Sequence, residues 1–299
     1  MNCAKDQIAL SSGSSSVPAS SVFPCDDTMS ADKLIHRIDG QSRSGLLIVN
    51  ADDWGRDPFT TGRILDCARQ GTVSSVSAMV FMKDSERAAA VAQEWGIDAG
   101  LHLNFTTPFS APHCPAQLVE HQRKLARYLL RHPIARAVFH PGLVRSFGYV
   151  VAAQIDEFRR LYEKPPDRLD GHHHMHLCAN VVLGGLLPKG TIVRRHFSYE
   201  PGEKALRNGI FRQFTNALLS QRHRLVDYFF SLPPLEPPNR LERIFSLASR
   251  NAVELETHPV NPKEYKFLIE RDSPLDSAQV VASSFAVPQE RCSNQRHAP

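Results

Sequence analysis

Seven consecutive residues, Asp170-Gly171-His172-His173-His174-Met175-His176, hold four imidazoles and one carboxylate. Neutral imidazole is a common ligand for first-row transition metals. One short segment cannot aim all four rings at one ion. If the segment stays extended, His172, His174 and His176 share one side and His173 faces the other. One of them then ligates, and the others hold substrate or orient the ligands. Two further stretches carry matching chemistry: Asn50-Ala51-Asp52-Asp53-Trp54-Gly55 and Gly100-Leu101-His102-Leu103-Asn104. Adjacent carboxylates at a turn can divide labour, one binding a metal and its neighbour serving as general base. Taken alone, two Asp in a turn are ordinary capping residues, and a His between two leucines is an ordinary core residue. His258, in Glu256-Thr257-His258-Pro259, is held before a proline and could donate a proton to a leaving group.

Asp53, one His from the third strand and one from the cluster make a two-His, one-carboxylate set. With open positions for water or substrate, this is a catalytic pattern rather than a closed structural site. Redox iron uses the same set in oxygenases. The spare carboxylate of Asp52 favours hydrolysis, because activating water needs a base. No Walker loop, no G-x-G-x-x-G after a strand and no G-x-S-x-G elbow is present, which disfavours phosphate cradling, dinucleotide binding and serine-hydrolase chemistry.

These residues need elements to position them. Leu46 to Val49 reads as a buried parallel strand ending in a polar turn from Asn50 to Gly55. A helix over 60–71, a strand over 73–82, a helix over 85–95 and a strand over 99–105 follow. This β-α-β-α-β order predicts a parallel sheet wrapped by helices. Helices are expected over 118–130, 145–162, 210–221 and 241–250. Strands are expected at 168–170, 192–195, 227–232 and 252–257. The candidate residues then fall at or near the carboxyl ends of strands, where α/β folds collect their chemistry.

The chain has 299 residues, 42% of them hydrophobic, and a formal net charge of +4. That length admits one large α/β domain with a substantial core. The charge is too small and scattered for a nucleic-acid footprint; the mildly basic region around Arg194-Arg195 and 207–224 reads as a solvated face. The six cysteines show no C-x-x-C spacing, as suits a reducing compartment. No apolar run approaches a membrane span, and the first ten residues lack a signal-peptide core. A cytoplasmic location is expected. Residues 1–43 read as a disordered Ser-rich tail, 44–271 as a single catalytic domain, and 272–299 as a mobile tail.

Leu47 to Gly55 resembles the opening motif of the YdjC-like carbohydrate deacetylases, which include chitooligosaccharide deacetylases. Gly71-Thr72-Val73-Ser74-Ser75, Gly100 to Asn104 and Leu169 to His176 resemble the motifs that follow in that family. Asp227 to Phe230 and Glu254 to Pro259 resemble later family segments. The likeness runs over roughly residues 45 to 265. It implies a distorted (β/α) barrel, TIM-barrel-like, that removes acetyl groups from N-acetylated sugars with one divalent metal, Mg or Zn. Carried over by motif, Asp53, His102 and His172 would bind the metal and Asp52 would be the base. His258 would be an acid or a substrate contact. Asp170, His174, His176 and Asn104 would hold substrate or orient the ligands. Trp54 stands where Phe is usual, and Gly171 where Ser is common. The Thr106 to Pro115 loop also departs from the family pattern, and sugar specificity is expected to be set there. The implied partner is a small carbohydrate, with no nucleic acid and no membrane, and a homodimer left open. Two other readings stay open: a metal-dependent hydrolase of another amide or a phosphoester, and a non-catalytic carbohydrate-binding protein on the same fold.

Overall fold

The computed structural model describes residues 45–198, 206–237 and 239–270. The expected tails, 1–43 and 272–299, lie outside the described residues. Seven strands form one sheet: β1 (Leu46–Trp54), β2 (Ser75–Ala78), β3 (Ala99–Leu103), β4 (Arg168–Gly171), β5 (Ile192–Val193), β6 (Tyr228–Ser231) and β7 (Ala252–Thr257). Their order is β5-β4-β3-β2-β1-β7-β6, and every pairing is parallel. The sheet curls until its edge strands meet. Val193 N donates to Arg224 O (2.9 Å) and Ser198 N to Phe229 O (2.8 Å) across the seam. The fold is α/β and TIM-barrel-like, with seven strands among the described residues.

Helices cover the outside: α1 (Pro58–Arg69), α2 (Ser85–Trp95), α3 (Ala116–Leu129), α4 (Val144–Tyr162), the short α5 (Ala179–Leu183), α6 (Leu206–Ser220), α7 (Asn239–Ala248) and α8 (Pro262–Ile269). The two-residue strand period sorts the core. Leu47, Val49, Ala51, Leu101, Leu103, Leu169, Val193, Val253 and Leu255 face the helices in one large apolar cluster. The alternate positions line the barrel. Ile48 packs there with Val226 and Phe229, and the rest is polar: Asn50, Ser75, Ser77, His102, Arg168, Asp170, Arg194, Glu254 and Glu256 are all buried.

The first strand departs from expectation. It does not stop at Val49 but runs to Trp54, with a bulge: Ala51 pairs with Val76 and Trp54 with Ala78. Three steps on β1 therefore match two on β2. Strict alternation would turn Asp53 outward with Ala51. The extra residue, with Asp53 at φ 70°, turns it back, so adjacent carboxylates both reach the interior. A bulge that re-aims a side chain commonly marks a functional site, and Asp is among the few residues that tolerate left-handed backbone.

The second strand is shorter than the expected 73–82. Beyond Ala78 the chain turns, with Ser85 Oγ donating to Met79 O and accepting from Met82 N. The last helix was not anticipated. Its signal is present: Asn261 caps it by accepting from Lys263 N, and a proline follows the cap.

Candidate metal centre

Asp53 on the β1 bulge, His102 on β3 and His172 just past β4 come together. One ligand atom from each lies within 4.8 Å of the others. Asp53 Oδ1 is 2.9 Å from His172 Nδ1 and 3.5 Å from His102 Nε2. All three residues are buried. Asp53 Oδ1 and His102 Nε2 have no hydrogen-bond partner. Buried polar atoms are rarely left so, because an unmade hydrogen bond costs about 1–3 kcal/mol. A carboxylate oxygen and an imidazole nitrogen left without partners beside a second imidazole fit a divalent cation. The other oxygen of Asp53 is already taken by Arg56 Nη1 at 3.0 Å.

The surroundings hold His102 in the tautomer a ligand needs. Its Nδ1 lies 2.7 Å from Asp170 Oδ1. A proton placed at Nδ1 leaves the Nε2 lone pair toward Asp53. Burial would push the His102 pKa down, but Asp52 and Asp170 outweigh it and raise it. The charge that favours a proton there favours a cation equally. Burial likewise pushes Asp53 up, and the close contact with His172 and the nearness of His102 overcome it, holding the carboxyl well below the usual range.

Asp52 is fixed by three short contacts. Its Oδ1 accepts from Asn50 Nδ2 (2.8 Å) and Arg194 Nη2 (2.7 Å), and its Oδ2 from Arg194 Nη1 (2.7 Å). Burial alone would raise its pKa, but Arg194 and then His102 lower it strongly. Its Oδ2 lies 3.9 Å from His102 Nε2. Glu256 lies beside it, pushed up by burial and by the charge of Asp52. His258 completes that group, with a ligand atom within 4.8 Å of Asp52 and Glu256. It sits half-buried at the rim, its backbone N donating to Glu264 Oε2 at 2.8 Å.

Arg194 is the residue that sequence reasoning missed. It was grouped with a solvated basic face, yet it is 1% exposed. Nε contacts Glu254 (2.7 Å), Nη1 contacts Asp52 and Glu256, and Nη2 contacts Asp52 and Asp170 (2.8 Å). A signal existed. Asp52, Asp170, Glu254 and Glu256 all have inward strand parity, and so many buried carboxylates need a buried cation. Arg168 is a second: Nη1 donates to Asn50 Oδ1 (2.9 Å), which in turn accepts from Ser75 Oγ, while Ser77 Oγ donates to Asp170 Oδ2 (2.5 Å).

The histidine segment does not stay extended. It winds into two short 3₁₀ turns across a kink at His173 and His174, both in left-handed backbone, so consecutive rings take different directions. His173 stacks on His172, centroids 4.0 Å apart, with its Nδ1 at Thr106 Oγ1. His174 Nε2 comes within 3.7 Å of Glu256. His176 is fully buried behind the site, its Nε2 on the carbonyl of Arg194 at 2.9 Å. The tight winding accounts for Gly171: a Cβ there would stand 3.0 Å from His176 N. Asn104 spends its side chain on the loop after β3, accepting from Thr106 N and Thr107 N and donating to Thr107 O. A cavity of about 990 Å³ between the 233–236 loop, α7 and α8 contains none of these residues; chemistry rather than volume locates the site.

Residues 46–285 match the family model described as YdjC-like protein. Chitooligosaccharide deacetylase from Serratia marcescens is 32% identical over 137 residues, covering 44% of this chain and 51% of that protein. The enzyme of that name from Proteus mirabilis is 33% identical over 136 residues, covering 46% and 52%. The chain thus spans about half the length of the curated relatives it matches. A solved structure from Enterococcus faecalis V583, provisionally assigned to cellobiose-phosphate cleavage, aligns with a TM-score of 0.57. It covers 81% of this chain and 98% of its own at 17% identity, a likeness of fold alone.

Proposed function

The chain belongs to the YdjC-like family, and from that premise we propose that it is a metal-dependent hydrolase removing an acetyl group from an N-acetylated amino sugar or oligosaccharide. One observation carries the reading: Asp53 Oδ1 and His102 Nε2, buried and unpartnered, converge with His172 beside a second carboxylate, Asp52, held by Arg194. The names of the curated relatives support the substrate class.

Asp53 Oδ1, His102 Nε2 and His172 Nδ1 would hold one divalent ion, Mg or Zn. When bound, such an ion supplies Lewis-acid polarisation of the acetyl carbonyl and lowers the pKa of water toward ~7. The protein's own groups supply the rest. Asp170 fixes the His102 ring. Asp52 Oδ2 accepts the proton of the attacking water, while Arg194 and Asn50 keep it aimed. Arg194, which lowers its pKa, favours the ionised, proton-accepting form. His258, at the rim, donates a proton to the departing amine nitrogen. Amide and water become amine and acetate. Binding alone has no use for a carboxylate of this kind beside a metal-type triad, which favours an enzyme over a binding protein.

No described helix is long and apolar enough to cross a membrane. The unpaired thiols of Cys67, Cys114 and Cys178 support placing the protein in the cytoplasm. The proposed partner is a small carbohydrate.

The test is acetate release from a panel of N-acetylated amino sugars before chelation, after it, and after metal add-back. Release that stops on chelation and returns with a divalent ion is the expected result. Release of phosphate from phosphorylated sugars, with no acetate, would replace the reading with phosphoester hydrolysis.

A further inference from the structure

The connection from α3 to α4 is exposed, apolar and basic at once. From His121 to Ile155 the sequence has six Lys and Arg and no Asp or Glu. That window alone exceeds the chain's net charge of +4, so the rest of the chain is net negative. Lys124 pairs with Glu120. Arg123, Arg127, Arg131, Arg136 and Arg145 pair with no carboxylate among the described residues. Of the nine large hydrophobic side chains exposed among the described residues, five fall here: Leu130, Ile134, Val138, Phe139 and Val144. Scattered exposed apolar residues need no explanation, but a cluster does. Two of the other four, Phe59 and Trp95, each carry a guanidinium over the ring, Arg63 at 4.6 Å and Arg69 at 4.4 Å.

The backbone of this connection is braced from behind. It folds into two 3₁₀ turns, Pro133–Ala137 and Pro141–Leu143. Tyr128 Oη on α3 donates to Val138 O (2.9 Å). Asn180 on α5 grips His140 twice: His140 N donates to its Oδ1 (2.9 Å), and its Nδ2 donates to His140 O (3.0 Å). None of the five apolar side chains lines the cavities of about 990, 390 and 290 Å³; they protrude. An occupant must be anionic and must take up protruding apolar groups. A second copy brings the same excess of Arg and is repelled. A helical or polyproline peptide needs a groove to receive it. Nucleic acid supplies charge but no apolar interior. An anionic bilayer supplies both, headgroups for the guanidiniums and acyl chains for the apolar side chains.

We propose that residues 127–145 are a docking surface for an anionic lipid bilayer, with Ile134, Val138 and Phe139 entering the boundary between headgroups and acyl chains and Arg127, Arg131, Arg136 and Arg145 meeting the headgroups. This is attachment and not spanning, since no described helix is long and apolar enough to cross a membrane. The expectation of no membrane rested on the lack of a spanning run, which a surface contact does not need. The proposal is independent of the deacetylase reading.

The experiment sediments the full chain with vesicles of phosphatidylcholine alone and of phosphatidylcholine with about one-third phosphatidylserine, at about 0.1 M and about 1 M salt, where the screening length falls from ~10 to ~3 Å. Wild type should bind the phosphatidylserine vesicles, ignore the neutral ones and be released by the higher salt. Arg131→Gln with Arg145→Gln should weaken binding about 25-fold, roughly fivefold for each charge near the surface. Ile134→Ser with Val138→Ser should weaken it by about tenfold or more. Those two side chains are 60% and 49% exposed, so thermal melts should match wild type. No binding by wild type at the lower salt, or equal binding by wild type and both variants, would overturn the proposal. Binding lost in the Arg pair but kept in the apolar pair, with the same pattern on poly-glutamate beads, would also overturn it, in favour of an acidic polymer. A dimer seen by ultracentrifugation and abolished by the apolar pair, in protein that ignores the vesicles, would assign the surface to a second copy instead.

Discussion

Replacing Arg194 with methionine keeps the bulk of the side chain and deletes its charge. In the structure its three nitrogens touch four carboxylates, Asp52, Asp170, Glu254 and Glu256, all at 3.2 Å or less. Every one of the five residues is buried. Without the guanidinium, Arg168 is the remaining cation against this group, and its Nη1 is 3.9 Å from Asp170. Breaking a buried ion pair by removing one partner costs roughly 3–5 kcal/mol, because the other partner is left charged and desolvated. At about 2–4 °C per kcal/mol for a domain of this size, the midpoint should fall by about 6–20 °C. Thermal unfolding at pH 7, followed by circular dichroism in the presence of a chelator, isolates this from any metal linkage. Removing a charge from the other side should recover part of the loss, so Arg194→Met with Glu254→Gln should be more stable than Arg194→Met alone. The deficit should also shrink below pH 5, where the stranded carboxylates can take up protons. A loss below about 1 kcal/mol at pH 7, in the range of an exposed pair, would refute the view that Arg194 holds the site's charges together.

Asp170→Asn should weaken divalent-metal affinity by about 10–100-fold, the usual effect of removing the group that orients a ligating His, as read by calorimetric titration. The same variant has an acid signature. Burial pushes the Asp170 carboxyl up, but Arg194 and His102 bring it from 3.8 down to about 2. A pKa lowered by folding stabilises fully above the unfolded value and loses that contribution as the pH falls through the folded one, here about 2 kcal/mol. In chelator, wild type should therefore lose its advantage over Asp170→Asn as the pH falls from 5 toward 2; a constant gap in urea midpoints would contradict the charge assignment. Asp52→Asn should lower kcat by about 10²–10⁴-fold with metal content unchanged, and retained full activity would remove Asp52 from its role. Asn104→Ala should cost about 1–3 kcal/mol by stranding the amides of Thr106 and Thr107 while leaving metal affinity within about twofold; a large loss of affinity would place Asn104 in the site.

The succession of strands and helices was legible because each element rests on a simple period. Helix Ser85–Trp95 and strand Ala99–Leu103 are plain in the apolar spacing. What the period could not show was its own interruption. Nothing in Asn50 to Gly55 announces a bulge, since a bulge is defined by pairing with Ser75–Ala78 and not by local propensity. The winding of His172 to His176 was hidden for a related reason: His tolerates left-handed backbone, but nothing local in the sequence says that His173 and His174 adopt it. Arg194 was hidden because charge is read locally as exposure, while its partners come from β1, β4 and β7, up to 142 positions away in the chain. Asn104 shows the opposite error. Its place in a family-like motif suggested a ligand-facing role, and its side chain instead closes a turn.

The account depends most directly on Asp53, His102 and His172 sharing one ion. The measurement is metal content by elemental analysis, after loading with Zn and separately with Mg and removing the excess. It is made on wild type and on Asp53→Ala, His102→Ala and His172→Ala, with circular dichroism to confirm that each is folded. About one equivalent per chain in wild type, lost in all three folded variants, is the predicted result. Stoichiometric metal that survives removal of any one of the three would contradict it.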